Sequence, residues 1–306
     1  MSDLLVGKGI TKQYGNNLAL NDFDLSIPEG SIYGLLGPNG AGKTTFLRII
    51  NQITAPDKGT IFVDGKKLDK SAIPMVGYMP EERGLYNNMK IGEQAIYFAK
   101  LKGLSNAEAH KKTRYWFEKL GIDGWWDKKL SELSKGMGQK VQFAITVLHD
   151  PKLLIFDEPF SGFDPVNAQI IANEILELSK KGTTIIFSTH RMESVEEMCD
   201  HIALIHQSNK ILDGEINQVK HQFKTGKYYA EIEEVNHENW AQFQSNFEVE
   251  LVKSDPHALK FSITKPESMH SNELLMQVAN LGTVSQFKES IPSMNEVFIQ
   301  AVKSPN

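Results

Sequence analysis

The sequence is short of several things, and each shortage closes off a class of protein. It holds a single cysteine, Cys199, in 306 residues, so no internal disulfide can form and a disulfide-stapled scaffold is excluded. Cys199 falls in a helical pattern with Val195, Met198 and Ile202, which predicts a small buried side chain rather than a reactive thiol. No apolar run reaches the roughly 18 residues that a bilayer-spanning helix needs. The start, MSDLLVGKGITKQYG, has neither the charged beginning nor the apolar centre of a signal peptide, so the expected compartment is the cytosol. An excess of positive charge is missing too. Thirty-three Lys and Arg stand against 38 Asp and Glu, a net charge of -5, and no nucleic-acid partner is expected. Sustained heptads are absent, which argues against a long coiled coil. What remains, 41% hydrophobic and 23% charged, is an ordinary globular chain with length for two domains.

The stretch GPNGAGKTT, from Gly37 to Thr45, fits G-x-x-x-x-G-K-[ST]. A glycine-rich turn alone is unremarkable chemistry, but this one follows the apolar strand pattern Ile32 to Leu36 and leads into a helical pattern near Lys43. In that setting the glycines let backbone N–H groups turn inward, and the helix N-terminus adds partial positive charge beneath a phosphate. Gly37, Pro38, Asn39, Gly40, Ala41, Gly42, Lys43, Thr44 and Thr45 are therefore assigned to nucleotide binding, with Lys43 reaching the β/γ-phosphates and the Thr44 hydroxyl serving Mg²⁺.

Two further strand ends carry chemistry. Leu153 to Phe156 is an apolar run that finishes in Asp157-Glu158, which places two carboxylates at the carboxyl edge of the same sheet. Asp157 is assigned to the metal and Glu158 to general base. Thr184 to Phe187 runs into Ser188-Thr189-His190, bringing an imidazole to that edge to contact the γ-phosphate or to position water.

Around these motifs the chain changes character three times. The first thirty residues alternate as antiparallel strands ending in Pro28-Glu29-Gly30, with Tyr14 placed in the turn before the second strand, where its ring offers a stacking face for adenine. From about Asn87 to Glu132 the pattern is helical (Ala109, Thr113, Trp116, Phe117, Leu120), with Ser105 and Glu108 spaced as a capping box and Gly121 as a stop. α/β alternation then returns as far as about Gly214. From Lys227 the order reads βαββαβ: strands at 229–235, 249–253, 258–263 and 283–287, helices at 238–247 and 267–281, then a last helix at about 293–302. That is the ferredoxin-like order. The histidines there, His237, His257 and His270, are scattered and read as surface rather than as a metal site.

Taken in order, Tyr14, GPNGAGKTT, GYMPEERGLY, LSKGMGQK, LLIFDEP, SGFDP and STH resemble the ATP-binding cassette subunits of membrane transporters, over roughly residues 1 to 220. The resemblance implies a P-loop cassette at 1–222, made of a RecA-like core, an antiparallel β subdomain and a helical subdomain at about 87–135, followed by a small α+β accessory domain at 227–306. It implies ATP and Mg²⁺ as ligands, with Glu81 joining Thr44 and Asp157 at the metal. It implies hydrolysis by Glu158, His190 and Lys43, with Tyr14 on the adenine. It also implies a second copy of the chain, whose Ser134 and Gly136 reach the γ-phosphate in trans while Asp164 helps join the pair. A membrane-spanning permease is the other expected partner, which would hold the chain at the cytoplasmic face of the membrane. Three positions depart from the usual pattern: Glu81 replaces Gln, Lys135 replaces Gly, and Met137 replaces Gln. PEERGLY, the LSKGM signature and the C-terminal domain are similar to the ATPases of bacterial sodium and drug exporters. A soluble cassette ATPase working on ribosomes or DNA, and an ATP-dependent gate of a membrane protein, remain as alternatives.

Overall fold

The computed structural model describes residues 2–82, 84–255 and 258–303. Arg83, within the GYMPEERGLY loop, and His257 lie outside the described residues. The chain divides into a larger unit, Met1–Ile216 with Ala301–Asn306, and a smaller one, Asn217–Gln300, a division a few residues earlier than the sequence pattern suggests.

The larger unit opens with two long antiparallel strands, β1 (Asp3–Tyr14) and β2 (Asn17–Pro28). Tyr14 closes β1 and pairs with Asn17 rather than lying in the turn, because Gly15 at φ 57° supplies the left-handed residue that a two-residue hairpin needs. The chain continues through β3 (Ile32–Leu36), α1 (Lys43–Ile50), β4 (Lys58–Val63), β5 (Lys66–Lys67) and β6 (Val76–Met79). The helical stretch follows as α2 (Ile91–Leu101), α3 (Asn106–Lys119) and α4 (Lys135–Val147). Ser105 caps α3 in a complete capping box with Glu108, as its spacing predicts. The alternating part then runs β7 (Leu153–Asp157), α5 (Pro165–Lys180), β8 (Thr184–Thr189), α6 (Met192–Met198), β9 (His201–His206) and β10 (Asn209–Glu215).

These strands form two sheets. One is antiparallel, in the order β2-β1-β4-β5; the other is six-stranded, in the order β10-β9-β3-β8-β7-β6, parallel except where β10 joins β9. β3, β7 and β8 are buried at every residue, the pattern of parallel strands covered on both faces. Phe46, Leu47 and Ile50 of α1 join Tyr33 and Leu35 of β3 and Leu5, Ile10 and Phe23 of the first two strands in one core. Cys199 ends α6 and is buried, and its Sγ takes up the space beside Gly34, where an added methyl would come within 3.0 Å. Burial pushes its thiol well above the ordinary range.

The smaller unit comprises the rest of α7 (Ile216–Gln222), then β11 (Lys227–Glu233), α8 (His237–Asn246), β12 (Val249–Asp255), β13 (Ala258–Thr264), α9 (Ser271–Ala279) and β14 (Thr283–Glu289), with the last helix α10 (Met294–Lys303) as far as Gln300. Its sheet runs β12-β13-β11-β14, antiparallel throughout, which is the ferredoxin-like arrangement. Ala230, Ile232, Phe261 and Ile263 alternate onto the face that packs Phe243 of α8 and Leu274 and Val278 of α9. α9 starts four residues later than its sequence pattern. A turn bonds Met269 N–H to the Pro266 carbonyl, Lys265 donates to the Met269 carbonyl at 2.8 Å, and Glu273 reaches back to the His270 N–H at 3.1 Å.

Candidate functional site

Strand register assembles the site. Leu36 of β3 lies opposite Thr189 of β8, and Ser188 of β8 lies opposite Asp157 of β7. The residues that follow, Gly37, Glu158 and His190, consequently leave the sheet at one edge although they are far apart in sequence.

The phosphate loop fills that edge from β3 to α1. Gly37 and Gly42 adopt φ of 146° and 119°, and a side chain at either would drive into the carbonyls of Ile205 and Ala19, so both conformation and space demand glycine. The first turn of α1 has no side-chain cap and no acidic residue, which leaves its N–H groups to a ligand. Lys43 folds over the loop, donating to the Gly37 carbonyl at 2.6 Å and the Pro38 carbonyl at 3.1 Å. Burial holds its ammonium below the ordinary lysine range, while Glu158, Asp157 and Glu81 pull it back up.

Asp157 is almost fully buried and accepts the Thr44 hydroxyl at 3.0 Å. Burial raises its pKa, the Thr44 hydrogen bond opposes this, and the neighbouring Glu81 and Glu158 charges add to the rise. Glu158 sits at φ 51°, a left-handed value that turns its carboxylate toward the end of β8. There Oε1 accepts the His190 N–H at 3.0 Å and meets His190 Nδ1 at 2.6 Å, while Oε2 accepts the Thr189 hydroxyl at 3.2 Å. A carboxylate has about four acceptor positions, so three are taken and one is left for water.

The donor set fits Mg²⁺. Thr44 and Asp157 put a hydroxyl and a carboxylate oxygen side by side, hard ligands of the kind this ion takes alongside phosphate oxygens and waters. No group of three acidic, histidine or cysteine side chains among the described residues is arranged to hold a metal ion unaided.

A cleft of about 290 Å³ collects Tyr14, Asn39, Gly40, Gly42, Lys43, Thr44, Thr45, Glu81, Asp157 and Glu158. Gly37 and Pro38 act through carbonyls on Lys43, Ala41 is buried in the core, and His190 acts through Glu158. Ser134 and Gly136 do not line this cleft. Ser134 caps α4 through the Met137 N–H at 3.3 Å, and Asp164 caps α5 through the Asn167 N–H at 3.0 Å. Sequence reasoning passed over Asn17 and Ala19, which also line the cleft, and Thr189, which holds Glu158. Thr189 carried a signal in the Ser-Thr-His run; Asn17 and Ala19 carried none, since only the return of β2 brings them to the loop.

Next to the cleft is a larger groove of about 880 Å³, also lined by Tyr14, with Ile53, Ile73, Leu85, Phe98, Leu101 and Ile145 among its walls. Lys12 stands 5.3 Å from the centre of the Tyr14 ring and pairs with Asp57 at 2.9 Å, which steadies the ring at the border of the two cavities.

Comparison with known proteins gives a consistent picture. Residues 20–161 match the family model described as ABC transporter, and residues 214–302 match the model of the C-terminal domain of DrrA1-3-like ATP-binding proteins. An uncharacterized ABC transporter ATP-binding protein of Bacillus subtilis, YhaQ, is 37% identical over 96% of both chains. The Nod factor export ATP-binding protein I of Burkholderia lata is 33% identical, over 68% of this chain and 69% of that one. A solved ATP-binding subunit of an ABC transporter superposes with a TM-score of 0.67 and 29% identity, over 72% of this chain and 93% of the other.

Proposed function

Because the chain belongs to the ABC transporter family of ATP-binding proteins, we propose that it binds and hydrolyses MgATP to drive an exporter of ions or drugs, as two head-to-tail copies beside a membrane-spanning permease. The observation that carries hydrolysis is Glu158, held by His190 and Thr189 with one acceptor position left for water. The reading as an exporter is supported by the relative named for Nod factor export.

In this reading the adenine rests on Tyr14 and the phosphates lie along the loop amides. Lys43 exchanges its loop carbonyls for phosphate oxygens, at little cost, since its hydrogen bonds are replaced rather than lost. Asp157, Glu158 and Glu81 give the cleft an acidic floor that repels a bare polyanion. Thr44 and Asp157 would hold a divalent ion, which would supply charge neutralisation and polarisation of the γ-phosphoryl group. Glu158 orients the attacking water and takes its proton as the bond from water oxygen to the γ-phosphorus forms and the bond to the ADP oxygen breaks. His190 keeps the carboxylate in place. Ser134 and the Gly136 backbone complete the site from the second copy, and Asp164 helps join the two copies.

The groove supports a membrane partner. Ile53 and Leu101 are exposed by about 60% on its rim, apolar surface that a partner would cover in this reading. No helix among the described residues is long and apolar enough to cross a membrane. In this reading a permease on another chain holds this one at the cytoplasmic face. The test is affinity capture of the tagged chain from detergent-solubilised native membranes, with mass spectrometry of its companions. A multi-helix membrane protein is the expected catch; ribosomal or DNA-bound proteins alone would overturn the transport reading and leave the ATPase reading standing.

A further inference from the structure

Lys135 follows Ser134 in the LSKGMGQK stretch, and its position has a structural reason. It is the first residue of α4, and its side chain lies across Gly162, so closely that a methyl at Gly162 would come within 2.6 Å of Lys135 Cε and 2.8 Å of Cδ. Gly162 itself is at φ 90°. One turn further along α4, the Gln139 side-chain amide donates to the Ser161 carbonyl, and Gln139 is buried. Ser161 in turn bonds back to Glu158, N–H to carbonyl, at 3.0 Å. At the other end of the same loop Asp164 caps α5. Lys135 makes no ion pair or hydrogen bond through its Nζ among the described residues, so what it brings to the loop is its methylene stem.

We propose that Lys135 is a positioning residue: its stem on Gly162, with the Gln139 amide on Ser161, fastens the loop from Glu158 to Asp164 to the start of α4. The signature helix and the general base then move as one piece. This rests on the hydrolysis reading above in one respect. Turnover depends on the fastening because Glu158 opens the loop that Lys135 and Gln139 hold, and Ser161 bonds back to it.

The experiment compares Lys135→Ala with Lys135→Met in the full chain, Met keeping the stem and losing only the charge. Turnover and KM for MgATP are measured with hydrogen–deuterium exchange of the segment 158–164, whose Ser161 and Phe163 N–H groups are internally bonded. Lys135→Ala is expected to lower kcat about fivefold to tenfold with KM within twofold, and to speed exchange in that segment by a similar factor; Lys135→Met is expected to restore both. Equal loss in Ala and Met would place the effect in the charge and overturn the proposal, as would unchanged exchange in Lys135→Ala. A wild-type chain without ATPase activity would sink the hydrolysis reading, while the exchange comparison would still decide the fastening. A double-mutant cycle supplies the second check: Gly162→Ala should harm the loop less in the Lys135→Gly background, where only the φ strain remains, and additive effects would deny the contact.

Discussion

Glu158 Oε1 and His190 Nδ1 stand 2.6 Å apart across 32 residues of sequence. The contact exists because β7 and β8 pair in parallel with Asp157 opposite Ser188. It also predicts an asymmetry. Glu158→Gln removes the proton acceptor and should slow hydrolysis by about 10²–10⁴-fold with ATP binding intact. His190→Ala keeps the residue 190 N–H on the carboxylate and loses only the ring contact, so a smaller loss, about tenfold to a hundredfold, is expected. Steady-state turnover beside nucleotide titration separates the two, and unchanged turnover in Glu158→Gln would remove that residue from the base role.

Tyr14 is 46% exposed at the mouth of the cleft. Its replacement by Ala should weaken ATP binding by about 1 kcal/mol, roughly fivefold, while Phe preserves it, because the proposed adenine contact is to the ring face and not to the hydroxyl. A fluorescent ATP analogue titrated against the three proteins checks this. Equal affinity in all three would move the adenine elsewhere.

Gly42 and Gly40 both carry positive φ, but only Gly42 has a neighbour, the Ala19 carbonyl and the Leu20 side chain, in the space of a side chain. Gly42→Ala should therefore cost about 1–3 kcal/mol through strain and collision together, several degrees of melting temperature, and Gly40→Ala less. Calorimetry without nucleotide gives the comparison; similar losses at the two positions would mean that the Ala19 segment gives way.

His149 predicts a pH effect on stability. Burial, helped by Lys102, lowers its pKa from 6.5 to about 4 against a weaker pull from the Val76 carbonyl. Between those values the unfolded chain binds the proton and the folded chain does not, so stability falls as pH drops from about 6.5 toward 4, by at most ~3 kcal/mol. His149→Gln should flatten this part of the profile. Melting temperatures of both proteins between pH 7 and 4.5 measure it, and parallel curves would count against His149.

Much of the site was legible because its parts are contiguous in sequence or close a strand. Gly37 to Thr45 carries its own geometry, and Asp157-Glu158 and Thr189-His190 each end an apolar run. The ferredoxin-like order was legible for the same reason, as alternation in Tyr228, Ala230 and Ile232 repeats in Leu259, Phe261 and Ile263. The remainder depends on through-space pairing. Nothing local announces that Lys43 rests on the Gly37 carbonyl, that Thr189 holds Glu158, or that Lys135 covers Gly162. The early start assigned to α9 had another cause: nothing local marks 267–270 as a turn, and the Lys265 contacts with the Pro266 and Met269 carbonyls that hold it as one are made through space.

Tyr14 lines both the cleft at the phosphate loop and the larger groove beside it. In genetic terms such a shared wall is pleiotropic: one substitution there should disturb two phenotypes together, and second-site suppressors should fall into two groups, one around the phosphate loop and one among Ile53, Ile73 and Phe98.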